Sequence, residues 1–148
     1  MLRPCRLCAL RGLCALIPAL WGQEERVVGA LSVGVDLVEI RRVEGVLGRY
    51  GERFLQRIYT PGERAYCRGR SRELAVRFAG KEAVSKALGT GLRGIRWREI
   101  EVLADPRGKP TVYLHGRARQ RAQELGLTQF AISFSHEREL GIAFVVAT

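Results

Sequence analysis

Lysine is nearly missing from this chain. Of its 25 cationic residues only Lys81, Lys86 and Lys109 are lysines, and the rest are arginines. Arginine's planar fork suits bidentate contact with phosphate and carboxylate, so the bias favours anionic partners; a GC-rich genome accounts for it equally well. Aromatic residues are also scarce, at 7%, and form no evident platform for stacking nucleic-acid bases. There is no apolar run of membrane-spanning length: Leu13 to Trp21 is interrupted by Pro18 and is too short. Only two histidines, His115 and His136, occur, and no Gly-x-Ser-x-Gly elbow, which removes a Ser-His-acid hydrolase. No Gly-x-x-x-x-Gly-Lys-Ser/Thr loop occurs, so this is no P-loop protein. The four cysteines are Cys5, Cys8, Cys14 and Cys67. Cys5-x-x-Cys8 is half of a zinc site without its second half, and nothing reads as a disulfide framework; unpaired thiols are expected.

What remains is a chain of 148 residues, 47% hydrophobic and 27% charged, with a net charge of +10. That length and balance fit one globular domain with a real core. The basic excess points to nucleic acid, phosphorylated ligands or an acidic protein, and charge alone does not choose. Residues 1 to 30 stand apart. They carry four arginines and no acid before Glu24. Three readings fit: a disordered extension or mis-assigned start, a targeting segment, or an extra helix. Met1 is the only methionine, so a later start would need a non-standard codon.

From residue 31 the pattern is an ordered α+β domain. Leu31 to Val38 alternates as a strand, with Gly34 and Asp36 inside it. Helices are expected from Glu39 to Leu47 and from Tyr50 to Ile58. Thr60-Pro61-Gly62-Glu63 is a helix start, with a Thr cap, Pro at the first position and Glu at the third, opening a helix to Cys67. Ser71 to Leu88 is the long central helix. Its Ala75, Ala79, Ala83 and Ala87 form a stripe of small side chains that permits close packing. Strands follow at Trp97 to Leu103 and Pro110 to His115, then a basic helix from Arg117 to Leu125, then strands at Phe130 to Ser135 and Leu140 to Ala147. A mostly antiparallel sheet packed against the long helix is the expected architecture.

The chemistry concentrates on that helix. Arg77 and Lys81 are four apart, as are Glu82 and Lys86, and the segment closes on Gly89-Thr90-Gly91. A carboxylate among three cations beside a glycine-rich turn is what a polyphosphate with a divalent metal requires. Asp36 and Glu82 are the candidate metal pair, since Mg²⁺ takes hard oxygen ligands and keeps several waters. Arg77 could grip a terminal phosphate, while Lys86 acts as a point charge. His136, at the end of a strand, could donate to a ligand phosphate. Taken singly, each residue has a structural reading: a buried ion pair or helix cap for Asp36, a solvated pair with Lys86 for Glu82, a capping histidine for His136.

Together the motifs resemble a known family. Gly34-Val35-Asp36-Leu37-Val38-Glu39-Ile40, Thr60-Pro61-x-Glu63 and Arg77-Phe78-Ala79-Gly80-Lys81-Glu82-Ala83-x-Ser85-Lys86-Ala87-Leu88-Gly89-Thr90-Gly91 look like holo-[acyl-carrier-protein] synthase, the small bacterial 4′-phosphopantetheinyl transferase. Asp105-x-x-Gly108-Lys109-Pro110 and Ser133-x-Ser135-His136-Glu137 follow in the family's order, so the likeness covers about residues 31 to 147. The resemblance implies transfer of phosphopantetheine from coenzyme A to a serine of apo acyl carrier protein in fatty acid biosynthesis, in the cytoplasm. It implies Mg²⁺ on Asp36 and Glu82, catalysis by Glu82 and Lys86, and coenzyme A contacts from Arg77, Lys86, Gly89, Gly91 and His136. It also implies carrier docking at Arg42, and a homotrimer with active sites at subunit interfaces. Neither a membrane nor a nucleic acid is expected as partner. Family members begin just before the Gly-Val-Asp strand, so residues 1 to 30 have no counterpart. The rival readings are a basic nucleic-acid-binding domain without catalytic activity, a silent interaction subunit, and a transferase for polyketide or peptide synthase carriers.

Overall fold

A computed structural model describes residues 31–91 and 93–148. The first strand, β1 (Ser32–Glu39), runs directly into helix α1 (Ile40–Tyr50). Gly51, at φ 49° and ψ −127°, breaks the chain before α2 (Glu52–Ile58). Only glycine adopts that backbone readily, which is why one apolar stretch becomes two helices. Helix α3 (Pro61–Cys67) starts as expected: the Thr60 hydroxyl accepts from the Glu63 amide and the Glu63 carboxylate accepts from the Thr60 amide. The long helix α4 (Ser71–Ala87) follows. Strands β2 (Ile100–Ala104) and β3 (Pro110–Leu114), helix α5 (Gly116–Glu124), and strands β4 (Phe130–His136) and β5 (Leu140–Ala147) complete the chain.

The strands form two antiparallel sheets rather than one: β1-β5-β4, and β2-β3. Residues Trp97–Glu99, expected as the start of β2, form a 3-10 turn. The Trp97 carbonyl oxygen accepts from the Lys81 ammonium at 3.0 Å, and the Glu99 carboxylate caps the Arg96 amide at 2.8 Å. Those groups are spent locally, so the ladder begins only at Ile100.

The alanine stripe of α4 is fully buried or nearly so, with exposures of 0 to 2%. It lies against the inner face of the three-stranded sheet, where Gly34 and Val38 of β1 and Gly141, Ala143 and Val145 of β5 are buried. The approach is closest at Gly34. A Cβ there would land inside the van der Waals radius of the Ala83 carbonyl oxygen and 3.0 Å from the Ala87 amide nitrogen. Ser32, on the same face, donates to the Ala87 carbonyl at 2.5 Å. Strand and helix therefore run antiparallel in contact, and backbone atoms cannot yield as a side-chain end can. Gly34→Ala is expected to cost about 1–3 kcal/mol or more, read as a fall in the urea midpoint at unchanged slope. An unchanged midpoint would show that strand and helix separate freely.

Candidate active site

Beside this contact lie the acidic and basic side chains of interest. Asp36 is two residues beyond Gly34 on the same face of β1, and its side chain is 18% exposed. Lys86, half exposed, sits on the flank of α4. Its ammonium donates to the Asp36 carboxylate and to the Val35 carbonyl, each at 2.8 Å. Glu82 is one turn earlier on the same flank. Burial, and next the charge of Asp36, push its carboxyl pKa above the ordinary value, with Lys86 pulling the other way. The two carboxylates are thus close enough to repel. A strand aspartate, disfavoured by propensity, is compensated here by a lysine from the helix across from it.

The other expected members divide. Arg77 and Lys81 are one residue out of phase with Glu82 and Lys86, which on an α-helix is about 100°. They consequently face α3 and β2, not β1. Arg77 is 3% exposed. Its guanidinium donates to the Val102 carbonyl at 3.2 Å and the Glu73 carboxylate at 2.7 Å, and lies 4.2 Å over the Tyr66 ring. Arg77, expected to grip a phosphate, is thus held through Nε and Nη1 on the α3 and β2 side of the helix, away from Asp36. Lys81 is wholly buried and paired with wholly buried Glu63 at 2.8 Å. Gly89 and Gly91 take φ of 71° and 53°, which explains the glycines. Their amides and that of Thr90 donate back to the carbonyls of Lys86 and Ser85. The turn expected to contact coenzyme A thus closes the helix with these amides.

His136 ends β4 and is exposed. It pairs with Gly141, which pairs with Val38. Two strand spacings, roughly 10 Å, therefore separate it from β1 within one chain. Arg42 is exposed on the first turn of α1, where it joins Arg41, Arg49 and Tyr50 around a shallow groove of about 230 Å³. Cys67 is a free, buried thiol, which burial chiefly pushes up to about 11. Cys5, Cys8, Cys14 and the segment 1–30 lie outside the described residues.

A profile of the 4′-phosphopantetheinyl transferase superfamily matches residues 32–144. The chain belongs to this superfamily. It is 49% identical over 123 residues to a holo-[acyl-carrier-protein] synthase of Herpetosiphon aurantiacus, covering 78% of this chain and 97% of that one. A synthase of Gloeobacter violaceus is 50% identical over 117 residues, covering 76% and 89%. Among solved structures, the Helicobacter pylori holo-[acyl-carrier-protein] synthase in complex with coenzyme A superposes with a TM-score of 0.72 at 31% identity, covering 78% of this chain and 99% of that one. The Neisseria meningitidis enzyme gives 0.73 at 36%, covering 79% and 97%. The small α+β architecture is common to them.

Two features of this transferase were not foreseen in its residue pattern. Glu63, read as a helix cap, also accepts from the Val102 amide at 3.0 Å with its other oxygen. It therefore ties α3, α4 and β2 together; a capping box in sequence carries no signal for the second oxygen. Phe78, one turn before Glu82, stacks on Trp97 at 4.7 Å between centroids, a pairing across 19 positions that no local spacing encodes.

Proposed function

We propose that this transferase moves 4′-phosphopantetheine from coenzyme A to a serine of apo acyl carrier protein, releasing adenosine 3′,5′-bisphosphate, within fatty acid biosynthesis. The observation that carries the reading is the meeting of Asp36, Glu82 and Lys86 where β1 crosses α4, in a chain of this family. Asp36 and Glu82 fit Mg²⁺: they are hard oxygen donors whose mutual repulsion a divalent cation relieves. No cluster of three or more metal-binding side chains exists among the described residues, which suits an ion that keeps waters and shares substrate oxygens. When bound, the ion supplies charge neutralisation at the phosphates.

The protein's own groups do the rest. The serine oxygen forms a bond to the β-phosphorus of coenzyme A as its proton passes to Glu82. The bond from that phosphorus to the bridging oxygen breaks, and the electron pair leaves with the adenosine 3′,5′-bisphosphate. Lys86, half exposed, can turn its ammonium toward the transferring phosphoryl oxygens, where charge accumulates. Appearance of adenosine 3′,5′-bisphosphate by chromatography, strictly dependent on apo carrier, is the test; release without carrier would refute the assignment.

The assembly we propose is a homotrimer with its sites at subunit interfaces. One face of the three-stranded sheet leaves Val33, Val35, Leu37, Ile142 and Phe144 exposed by 38 to 60%, more apolar surface than an isolated domain ordinarily shows. Covering that face with another copy offers a way to bring a neighbour's His136 to the nucleotide phosphates, which a distance of roughly 10 Å within one chain does not. A cytoplasmic setting fits a buried free thiol and helices among the described residues that are neither long nor apolar enough to cross a membrane. Residues 31–148 form the transferase domain. Expressed alone, they should sediment as a trimer with full activity, and an inactive monomer would contradict this.

Arg42 faces the carrier. Between residues 31 and 148 the chain holds 21 cations and 13 acids, a field that steers an acidic partner. Arg42→Glu is expected to raise KM for the carrier about tenfold while KM for coenzyme A stays within about twofold. Equal rises in both would remove the docking role.

A further inference from the structure

We infer that an arginine-lined groove between the end of α2 and the Trp97–Glu99 turn is a second docking point for the carrier protein, taking acidic side chains from its surface. The inference rests on the transferase reading. The groove encloses about 620 Å³. Arg57, Arg96 and Arg98 line it, with Ile95, Trp97 and Thr60 beneath them. All three arginines are exposed, and none forms an ion pair among the described residues. The one acid in the lining, Glu99, already accepts from the Arg96 amide at 2.8 Å. The basic character continues onto α5, whose Arg117 donates to the Gly94 carbonyl at 3.4 Å.

Its position connects it to the chemistry. Trp97 stacks on Phe78, and Phe78 precedes Glu82 by four residues, about 6 Å along the helix axis. A folded carrier whose serine reaches Glu82 has this groove within its footprint. The ligand is protein carboxylate rather than phosphate for a geometric reason. The guanidiniums come from two separate elements around an open groove, and the buried Thr60 hydroxyl in its lining is already spent on the Glu101 carboxylate. Compact phosphate sites use converging amides or buried donors, whereas exposed arginines are enriched in protein interfaces.

The test uses the full chain with Arg96→Glu and Arg98→Glu together, and Arg57→Glu separately, so that a folding defect in one element does not decide it. Arg107→Glu, in the exposed β2–β3 turn, matches the charge change at a distance. Carrier and coenzyme A are varied in turn, and labelled apo carrier is titrated by fluorescence anisotropy. The groove variants should raise KM and Kd for the carrier about tenfold and weaken their salt dependence. Values for kcat and for the coenzyme A KM should stay within about twofold, as should every value for Arg107→Glu. Unchanged carrier Kd in both groove variants overturns the inference, as does a rise confined to the coenzyme A KM. Absence of transfer by the wild type is a separate failure, of the transferase reading, and anisotropy then still decides the groove.

Discussion

Glu82→Gln should lower transfer by about a thousandfold, the scale of losing a positioned general base together with a metal ligand, and should not lower the melting temperature of the metal-free protein. The second half follows from the direction of the Glu82 shift. Burial and the nearby Asp36 charge raise its carboxyl pKa in the folded chain. A raised folded value means the stabilising contribution is present below the unfolded carboxylate pKa and is lost as pH rises through the folded one. At neutral pH the ionised Glu82 therefore works against the fold, and glutamine reproduces the neutral form. Two further readouts follow. The wild type should melt lower as pH rises out of the carboxylate range, by an amount missing from the variant. Added Mg²⁺ should raise the wild-type melting temperature at neutral pH and affect the variant less. Wild-type turnover in Glu82→Gln, or a large fall in its melting temperature, would remove the residue from the site.

Lys81→Met, one position earlier, should do the reverse and strike the fold. Lys81 and Glu63 are both 0% exposed. The ammonium bonds the Glu63 carboxylate and the carbonyls of Trp97 and Ile100. Removing it leaves a buried carboxylate held only by the amides of Thr60 and Val102. Breaking a buried pair from one side costs about 3–5 kcal/mol, a large share of the roughly 5–15 kcal/mol that stabilises a domain. The denaturation midpoint should fall accordingly, and Glu63→Gln in the same chain should restore much of it, because the stranded charge is then gone. Additive losses in the double variant would show that the two residues act independently. Lys86→Met is the contrast: its pair with Asp36 is half exposed, so the expected stability loss is about 1 kcal/mol or less, while transfer suffers.

These two lysines mark how far a sequence reading reaches here. Periodicity and capping place the helices within a few residues, because the alanine stripe, the Thr60–Glu63 box and the glycines at 89 and 91 are local signals; the break at Gly51, inside the helix expected from Tyr50, escapes that reading. Spacing also pairs Glu82 with Lys86 on one flank. It does not reveal which neighbour each flank meets. Arg77 and Lys81 look like further cations of the same cluster until β2 and α3 are seen to occupy their side. The same blindness to distant partners covers the 3-10 turn at Trp97–Glu99, where a lysine 16 positions earlier takes the carbonyl, and the division of the strands into two sheets. Asp36 was legible for the opposite reason: an acid in an apolar strand requires a compensating partner, and Lys86 is that partner.

The most direct test is intact-mass spectrometry of apo acyl carrier protein incubated with this protein, coenzyme A and Mg²⁺, with and without EDTA. The account requires a gain of about 340 Da, one phosphopantetheine group, that EDTA prevents. An unmodified carrier in the presence of folded protein would contradict it.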